Sequence, residues 1–340
     1  MIQELKKILI FGPIFLLFYG MNTYGLHAES LYENPFGSIN SEQWVQESPI
    51  QFFIGYVINL VVDNTTTTHW IVVAIGFLYL YTSAFFFDKY YFKKNQIFKI
   101  LYFTPFFLIL FTWMGKPDTF TIGSLFFLVA FHNSVLLSNL FILFTIFSHP
   151  QIAFVYFVLI KFLKIFEYKK HHYFGIFINF IIYIYYRSLL NDFDDRFTVI
   201  SNELDRVFRT IFTNTLGGLI SLFMWLWIVI FISKLIKDKK FIVSFLFVFF
   251  ISFFTIDHTR VFMQLSIPLV IYMIQSEEFL NAFNSIFNNK LMYILGIFQI
   301  QKRADGRLVD GKNIYEINFF SHLFDLLIEN IVLIIDNFFR

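Results

Sequence analysis

The chain has 340 residues, of which 57% are hydrophobic and only 15% are charged. This balance is typical of a membrane protein with many spans and excludes the soluble classes of protein. The formal net charge of +2 is too small to indicate nucleic-acid binding. Because the chain contains no cysteine, disulfides, thiolate chemistry and iron–sulfur clusters are excluded as well.

Apolar runs separated by short polar segments predict an all-α fold, since irregular backbone cannot face lipid. A full crossing needs about 20 residues, and Lys and Arg mark the cytoplasmic ends, so we predict about ten transmembrane helices plus short interfacial helices. The predicted spans, in chain order, are 8–19, 70–87, 98–114, 120–131, 135–147, 152–166, 174–186, 216–235, 241–256 and 261–274.

These spans form one predicted transmembrane domain over residues 1–300, with outer loops at 21–69 and 188–215. An apolar run at 49–62 is too short to cross, and we expect it to lie at the outer interface. Residues 301–340 are predicted to be a cytoplasmic-side tail with an amphipathic helix. The chain is therefore expected to be a multi-pass membrane protein.

The first outer loop is acidic. Between positions 21 and 48 it carries Glu29, Glu33, Glu42 and Glu47 but no Lys or Arg, which places it outside. The second loop contains Asp192, Asp194 and Asp195, which we interpret as a solvated turn rather than a metal site.

A polar cluster, Asp257, His258, Thr259 and Arg260, interrupts two apolar runs. Ionisable residues at a bilayer boundary are costly and mark a candidate functional site, although a simple hydrophilic turn is the alternative. The same topology brings four other polar elements to the outer face. They are the first loop, the Lys116–Asp118 turn, His149 with Gln151, and the loop that begins at Arg187.

These elements contain both acids and bases, as a reaction or an anionic ligand would need. Arg260 and Lys116 are candidate phosphate ligands, because guanidinium binds two oxygens at once and ammonium acts as a point charge. Asp118, Asp257 or a first-loop glutamate could accept a proton from an attacking hydroxyl. His149 or His258 could do the same near neutral pH. Two simpler readings stay open: Lys116 pairs with Asp118 across a Pro turn, and His149 only caps a helix.

Other motifs are missing from the sequence. It has no Gly-rich phosphate loop and no nucleotide-binding motif, which argues against ATP-driven transport by this chain. A secondary transporter would need charged or interrupted helices near the middle of the membrane, and the sequence shows few of them.

The layout resembles the GT-C class of membrane glycosyltransferases, which includes the Wzy and EpsG-like polysaccharide (O-antigen) polymerases. The resemblance lies in a long acidic loop after the first span that ends in a Pro-led apolar helix, Glu47-Ser48-Pro49-Ile50-Gln51-Phe52-Phe53. The chain lacks the Arg followed by Gly-x-Asp of EpsG-like proteins, and the Asp-Glu pair that opens this loop in many GT-C enzymes.

The resemblance implies a location in the bacterial inner (cytoplasmic) membrane. It also implies transfer of a sugar from a polyprenyl-(di)phosphate-linked donor to a glycan acceptor on the periplasmic or exterior side. It implies a base in the first loop (Glu33, Glu42 or Glu47), and phosphate binding by Arg260 and Arg187. We expect no metal and no cofactor, because fixed cations can neutralise the phosphate. Expected partners are the lipid-linked sugar, membrane lipid and other polysaccharide assembly proteins. Two alternatives are a transporter or flippase of polysaccharide precursors and a non-catalytic membrane assembly subunit.

Overall fold

A computed structural model of the chain describes residues 32–33, 48–93, 96–113, 115–189, 215–253, 258–287, 296, 301–302 and 308–309. Apart from turns, these residues are helical, with one two-residue antiparallel strand pair, Gln301–Lys302 with Leu308–Val309. The all-α prediction is therefore confirmed. The predicted first span at 8–19 and most of the tail at 301–340 lie outside the described residues.

Fourteen of the helices are numbered here in chain order. They are α1 (Pro49–Val62), α2 (Thr65–Phe87), α3 (Ile97–Tyr102), α4 (Phe106–Thr112), α5 (Asp118–Ala130), α6 (Val135–Ser148), α7 (Pro150–Leu163), α8 (Lys170–Ser188), α9 (Thr215–Phe223), α10 (Leu226–Ile232), α11 (Lys239–Phe253), α12 (His258–Leu265), α13 (Ile267–Gln275) and α14 (Glu277–Phe287).

Only α2 is long and apolar enough, within the described part of the chain, to cross a membrane by length and composition. With the π-helical turn Asp88–Phe92 that continues it, this helix has 28 residues. At 1.5 Å per residue it measures about 42 Å, more than the thickness of a hydrocarbon core. Shorter apolar helices of 10–17 residues are α1, α5, α6 and α7.

Three predicted spans are interrupted, contrary to the expectation of few broken helices. The run at 98–114 divides into α3 and α4 at Pro105, which has no N–H to continue the hydrogen-bond ladder. The run at 216–235 divides at Met224, where φ is +48°. The run at 261–274 divides at Ser266, just before Pro268 in the first turn of α13.

The centre of the described bundle is formed by α2, α5 and α6, and phenylalanine rings fill the space between them. Phe86 of α2 contacts Phe127 and Phe131 of α5, and Phe127 stacks on Phe141 of α6 at 4.6 Å between ring centroids. Gly76 allows α5 to begin close to α2, since a Cβ there would lie 2.5 Å from the Thr119 hydroxyl oxygen. These contacts fix α5, and with it Asp118, against α2.

Helix α1 is also part of the packing. It turns back along the first half of α2 through Asp63, whose φ is +51°, and Asn64 then caps α2 by accepting a hydrogen bond from the Thr67 N–H at 2.8 Å. Thr68 donates to the Asn59 side chain at 3.0 Å. The short run that was expected at the outer interface is therefore packed on α2, with its first turn near the start of α5.

The two ends of this bundle differ in charge. One end, called the cleft end below, holds the first turns of α1 and α5 together with Arg260. The other, called the lysine end, holds the α5–α6 turn, the α7–α8 loop and the start of α11. Its lysines are Lys89, Lys93, Lys161, Lys164, Lys169, Lys170, Lys234, Lys237, Lys239 and Lys240.

Candidate functional site

A cleft lies between the first turn of α1, the middle of α2, the end of α4 and the start of α5. The cleft is small, with an enclosed volume of about 10 Å³, and it opens to solvent. Its lining includes apolar, polar and charged residues. The lining residues are Gln51, Val72, Val73, Phe77, Leu110, Trp113, Gly115, Lys116, Asp118, Thr119 and Phe120.

A tight turn between α4 and α5 supplies three of these groups. Gly115 has a φ of +87°, which a residue without a Cβ adopts at no steric cost, and the Lys116 N–H donates to the Trp113 carbonyl at 3.2 Å. Lys116 and Asp118 are both buried, with 8% and 2% of their surface exposed. The turn therefore holds a cation and an anion inside the protein, two residues apart.

Asp118 is paired with Arg260, 142 residues further along the chain. Arg260 donates from Nε to one carboxylate oxygen at 2.8 Å and from Nη2 to the other at 2.7 Å. The side chains are 13% and 3% exposed, respectively. Paired donors in this forked arrangement fix the guanidinium in position as well as in charge. The carboxylate of Asp118 thus has a distant arginine as its partner.

Trp113, which lines the cleft, contacts both Arg260 and Lys116. The Arg260 Cζ lies 5.2 Å from the centroid of the indole ring, and the Lys116 Nζ lies 6.0 Å from it. Cations within about 6 Å of an aromatic face are attracted by the electrons of the ring. The two positive groups are consequently neighbours, although they belong to separate parts of the sequence.

Two helices also begin at the cleft. Gln51 is in the first turn of α1, and Asp118, Thr119 and Phe120 form the first turn of α5. Neither helix has a side-chain hydrogen bond at its N-cap, Ser48 or Pro117. The positive ends of the two helix dipoles add to the positive charge of Lys116, while the carboxylate of Asp118 in the first turn of α5 offsets the charge of Arg260.

The sequence predicted that Lys116, Asp118 and Arg260 lie at one end of the protein. Lys116 and Asp118 line the cleft, and Arg260 contacts two lining residues, Asp118 and Trp113. The structure does not place the other described candidates in the cleft. His149 is the single half-buried residue between α6 and α7. It occupies the cap position of both helices, but its side chain makes no capping hydrogen bond to α7. Gln151 is exposed on α7, Glu33 is exposed, and Arg187 lies in the last turn of α8.

Other candidates lie outside the residues that the structure describes. They are Glu42, Glu47, Asp257, Asp192, Asp194 and Asp195. His258 is the first residue of α12, and only its backbone is described.

Sequence reasoning missed Gln51, Trp113 and Thr119 as members of the site. Trp113 is three residues before Lys116, and an aromatic residue next to a cation in a short turn could have indicated the contact. Gln51 belongs to the Pro-led helix that suggested the GT-C layout, but nothing in its local pattern indicates that it meets Gly115. No family model, curated protein or solved structure matches this chain.

Proposed function

We propose that the chain is a membrane glycosyltransferase or polysaccharide polymerase that uses a polyprenyl-(di)phosphate-linked sugar donor at the outer face of the bacterial inner membrane. The observation that carries the proposal is the meeting of Arg260 and Lys116 at the first turns of α1 and α5. Such a site suits a phosphate or diphosphate better than a neutral or cationic ligand.

The cleft also suits an amphipathic donor. Its lining combines polar residues, among them Lys116 and Thr119, with apolar residues such as Val72, Phe77 and Leu110. A lipid-linked phosphate carries both kinds of surface in one molecule. The phosphate would lie against the cations, and the first part of the prenyl chain would follow the apolar side of α2.

The cations would act on the leaving group. As the bond between the sugar C1 and the phosphate oxygen breaks, negative charge grows on the phosphate, and Lys116 with Arg260 would stabilise it. The acceptor hydroxyl forms the new bond to C1 and gives its proton to a base. Because both oxygens of Asp118 accept hydrogen bonds from Arg260, we assign Asp118 to holding the arginine. The base is then sought among Glu42, Glu47, Asp257 and His258.

A precursor flippase is the second candidate, and one observation favours it. The interruptions at Pro105, Met224 and Ser266 give the chain the broken helices that transporters use around their substrates. A flippase and a polymerase differ in which side of the membrane accumulates precursor when the protein fails. Loss of the polymerase leaves the lipid-linked repeat unit outside, whereas loss of a flippase leaves it inside.

The direct test replaces Arg260 with alanine and follows polymer length on a polysaccharide gel. We expect Arg260→Ala to lower sugar transfer by about 100- to 1,000-fold, as for the loss of one donor to a developing anion. Arg260→Lys should keep part of the activity, because the charge remains but the forked geometry is lost. The control is Lys237→Ala, an exposed cation of the lysine end. Wild-type chain lengths from Arg260→Ala, at equal amounts of protein in the membrane, would contradict the proposal.

A second test addresses the membrane arrangement. The chain contains no cysteine, so single cysteines can be labelled without background. Thr67 at the start of α2 and Lys237 at the lysine end are both exposed. We expect a membrane-impermeant thiol reagent added to intact cells to label Thr67→Cys and not Lys237→Cys, and to label both after the cells are opened. Labelling of Lys237→Cys in intact cells would reverse the proposed orientation.

A further inference from the structure

The side chain of Gln51 is held in one orientation. Its Nε2 donates to the carbonyl oxygen of Gly115 at 2.5 Å. A backbone carbonyl can only accept, so the amide nitrogen must face it and the amide oxygen must face away. Gln51 is 1% exposed, and thus it is fixed in the wall of the cleft.

The amide oxygen is the unusual part of this residue. Oε1 of Gln51 is buried and has no hydrogen-bond partner among the residues that the structure describes. Buried polar atoms are normally paired, because leaving one unpaired is costly. An acceptor of this kind beside a cleft therefore points to a donor that arrives with a ligand.

The chemistry of that ligand follows from the neighbours. Lys116 in the lining of the cleft, with Arg260 behind it against Trp113 and Asp118, attracts the oxygens of a phosphate. An amide oxygen repels those oxygens and binds an O–H or N–H group instead. One cleft thus offers cations for an anion and a neutral acceptor for a hydroxyl. A sugar attached to a phosphate presents both groups within one short molecule.

We propose that Gln51 is a specificity-determining residue that accepts a hydrogen bond from a hydroxyl or amide N–H of the sugar on the donor. This inference rests on the proposed function, since it assumes that the phosphate of the donor occupies the cleft. Gln51 touches the sugar and takes no part in proton transfer. The Gly115 carbonyl holds it in place, so Gly115 and Gln51 together link the position of α1 to the recognition of the sugar.

The chain contains a matched control. Gln264 of α12 is 2% exposed, and its Oε1 and Nε2 are both buried without a hydrogen-bond partner in the described part of the chain. Unlike Gln51, it does not line the cleft, and its backbone carbonyl accepts a hydrogen bond from the Tyr156 hydroxyl at 2.8 Å. Replacing each glutamine with methionine makes the same chemical change at two buried positions.

The experiment measures binding by the full-length protein in lipid nanodiscs. The probes are polyprenyl phosphate, and the same lipid carrying glucose or N-acetylglucosamine. We expect the wild type to bind at least one of the sugar-bearing lipids more tightly than the bare phosphate. Gln51→Met should weaken that binding by about tenfold, the effect of one lost hydrogen bond, and leave the affinity for polyprenyl phosphate within about twofold. Gln264→Met should retain the preference for the sugar.

The outcomes separate the two proposals. If the wild type does not bind polyprenyl phosphate, the proposed function fails. If it does, and Gln51→Met weakens all the lipids equally or none of them, the role of Gln51 is overturned while the phosphate site stands. Equal binding of bare and sugar-bearing lipids by the wild type also overturns it. Gln51→Asn, which keeps the amide on a shorter side chain, must show the same selective loss if Gln51→Met does not fold.

Discussion

The two ends of the bundle arrange their polar residues differently. At the lysine end, both ring nitrogens of His132 and His172 have partners. His132 donates from Nδ1 to the Val129 carbonyl at 2.8 Å, and its Nε2 is 3.1 Å from the Asn133 amide. The Lys169 N–H donates to Nδ1 of His172 at 2.9 Å, and Nε2 of His172 donates to the His132 carbonyl at 2.9 Å.

Aromatic rings close over this network. Phe166 stacks on His132 at 4.9 Å and contacts His172 at 5.3 Å, while Tyr168 stacks on His172 at 5.6 Å. The amide of Asn133 also accepts a hydrogen bond from the Lys169 ammonium at 2.9 Å. Because the ring nitrogens of His132 and His172 have hydrogen-bond partners and are covered by aromatic rings, this network stabilises the contact between the two loops.

The cleft end has a different character. Its ion pair joins residues 142 positions apart, two cations share one indole ring, and the amide oxygen of Gln51 has no partner in the described chain. Satisfied polar groups stabilise a fold, whereas a buried group without a partner adds cost and needs another reason to be there. Among the described residues, the lysine end has such atoms as well, Nε2 of His171 and Oε1 of Gln96. The difference is that the unpaired atom of Gln51 belongs to a residue lining a cleft beside the buried charges of Lys116 and Asp118.

The largest effect that could test this comparison comes from breaking the buried ion pair. Asp118→Ala leaves the guanidinium of Arg260 buried without its carboxylate, and it should lower the free energy of unfolding by about 3–5 kcal/mol. The double variant Asp118→Ala/Arg260→Ala should be more stable than Asp118→Ala alone, because it removes the isolated charge. Thermal unfolding in detergent measures both.

The lysine end provides the control for that experiment. Asp238 accepts hydrogen bonds from the Lys240 N–H at 2.8 Å and from the Tyr272 hydroxyl at 2.6 Å, and it precedes the first residue of α11. Asp238→Ala should cost about 1–2 kcal/mol, as for a helix cap. If Asp118→Ala were no more damaging than Asp238→Ala, the ion pair would not be the main link between α5 and α12.

Part of the fold and of the candidate site could be predicted from the sequence, because charge and the length of an apolar run are local properties. The helical character and the shared end of Lys116, Asp118 and Arg260 follow from counting spans and assigning Lys-rich loops to one side. The turn at Gly115 and the start of α7 at Pro150 are indicated by the residue types themselves, a glycine and a proline. The sequence therefore predicts that Lys116, Asp118 and Arg260 lie at the same end of the bundle.

The actual contacts were not predictable, since they depend on packing between distant segments. Nothing near Asp118 indicates that its partner is Arg260 rather than Lys116, two residues away. His149 and Lys116 are both polar residues next to a proline, but only Lys116 faces the cleft. The break at Met224 was also hidden, because a methionine does not indicate a positive φ, whereas Pro105 and Pro268 mark the other two breaks in the sequence.

The smallest expected effect is a loss of stability at acidic pH, and it arises from residues of the lysine end. Burial, helped by the neighbouring His171, lowers the pKa of His172 from its usual 6.5 to about 4. An unfolded chain would take up a proton at this ring below about pH 6.5, whereas the folded protein stays neutral there until about pH 4. Stability should therefore be constant above neutral pH and should fall as the pH drops from 6.5 towards 4.

His172→Gln removes the group that takes up this proton, while the glutamine amide can still donate to the His132 carbonyl. The unfolding midpoint of the variant should therefore depend less steeply on pH between pH 4 and 7 than that of the wild type. Burial lowers the pKa of His132 as well, and the remaining slope should carry the same sign. The affinity of the cleft for polyprenyl phosphate should be the same in His172→Gln as in the wild type. A change in that affinity would mean that the two ends are coupled, and the separation between a structural end and a ligand-binding end would have to be abandoned.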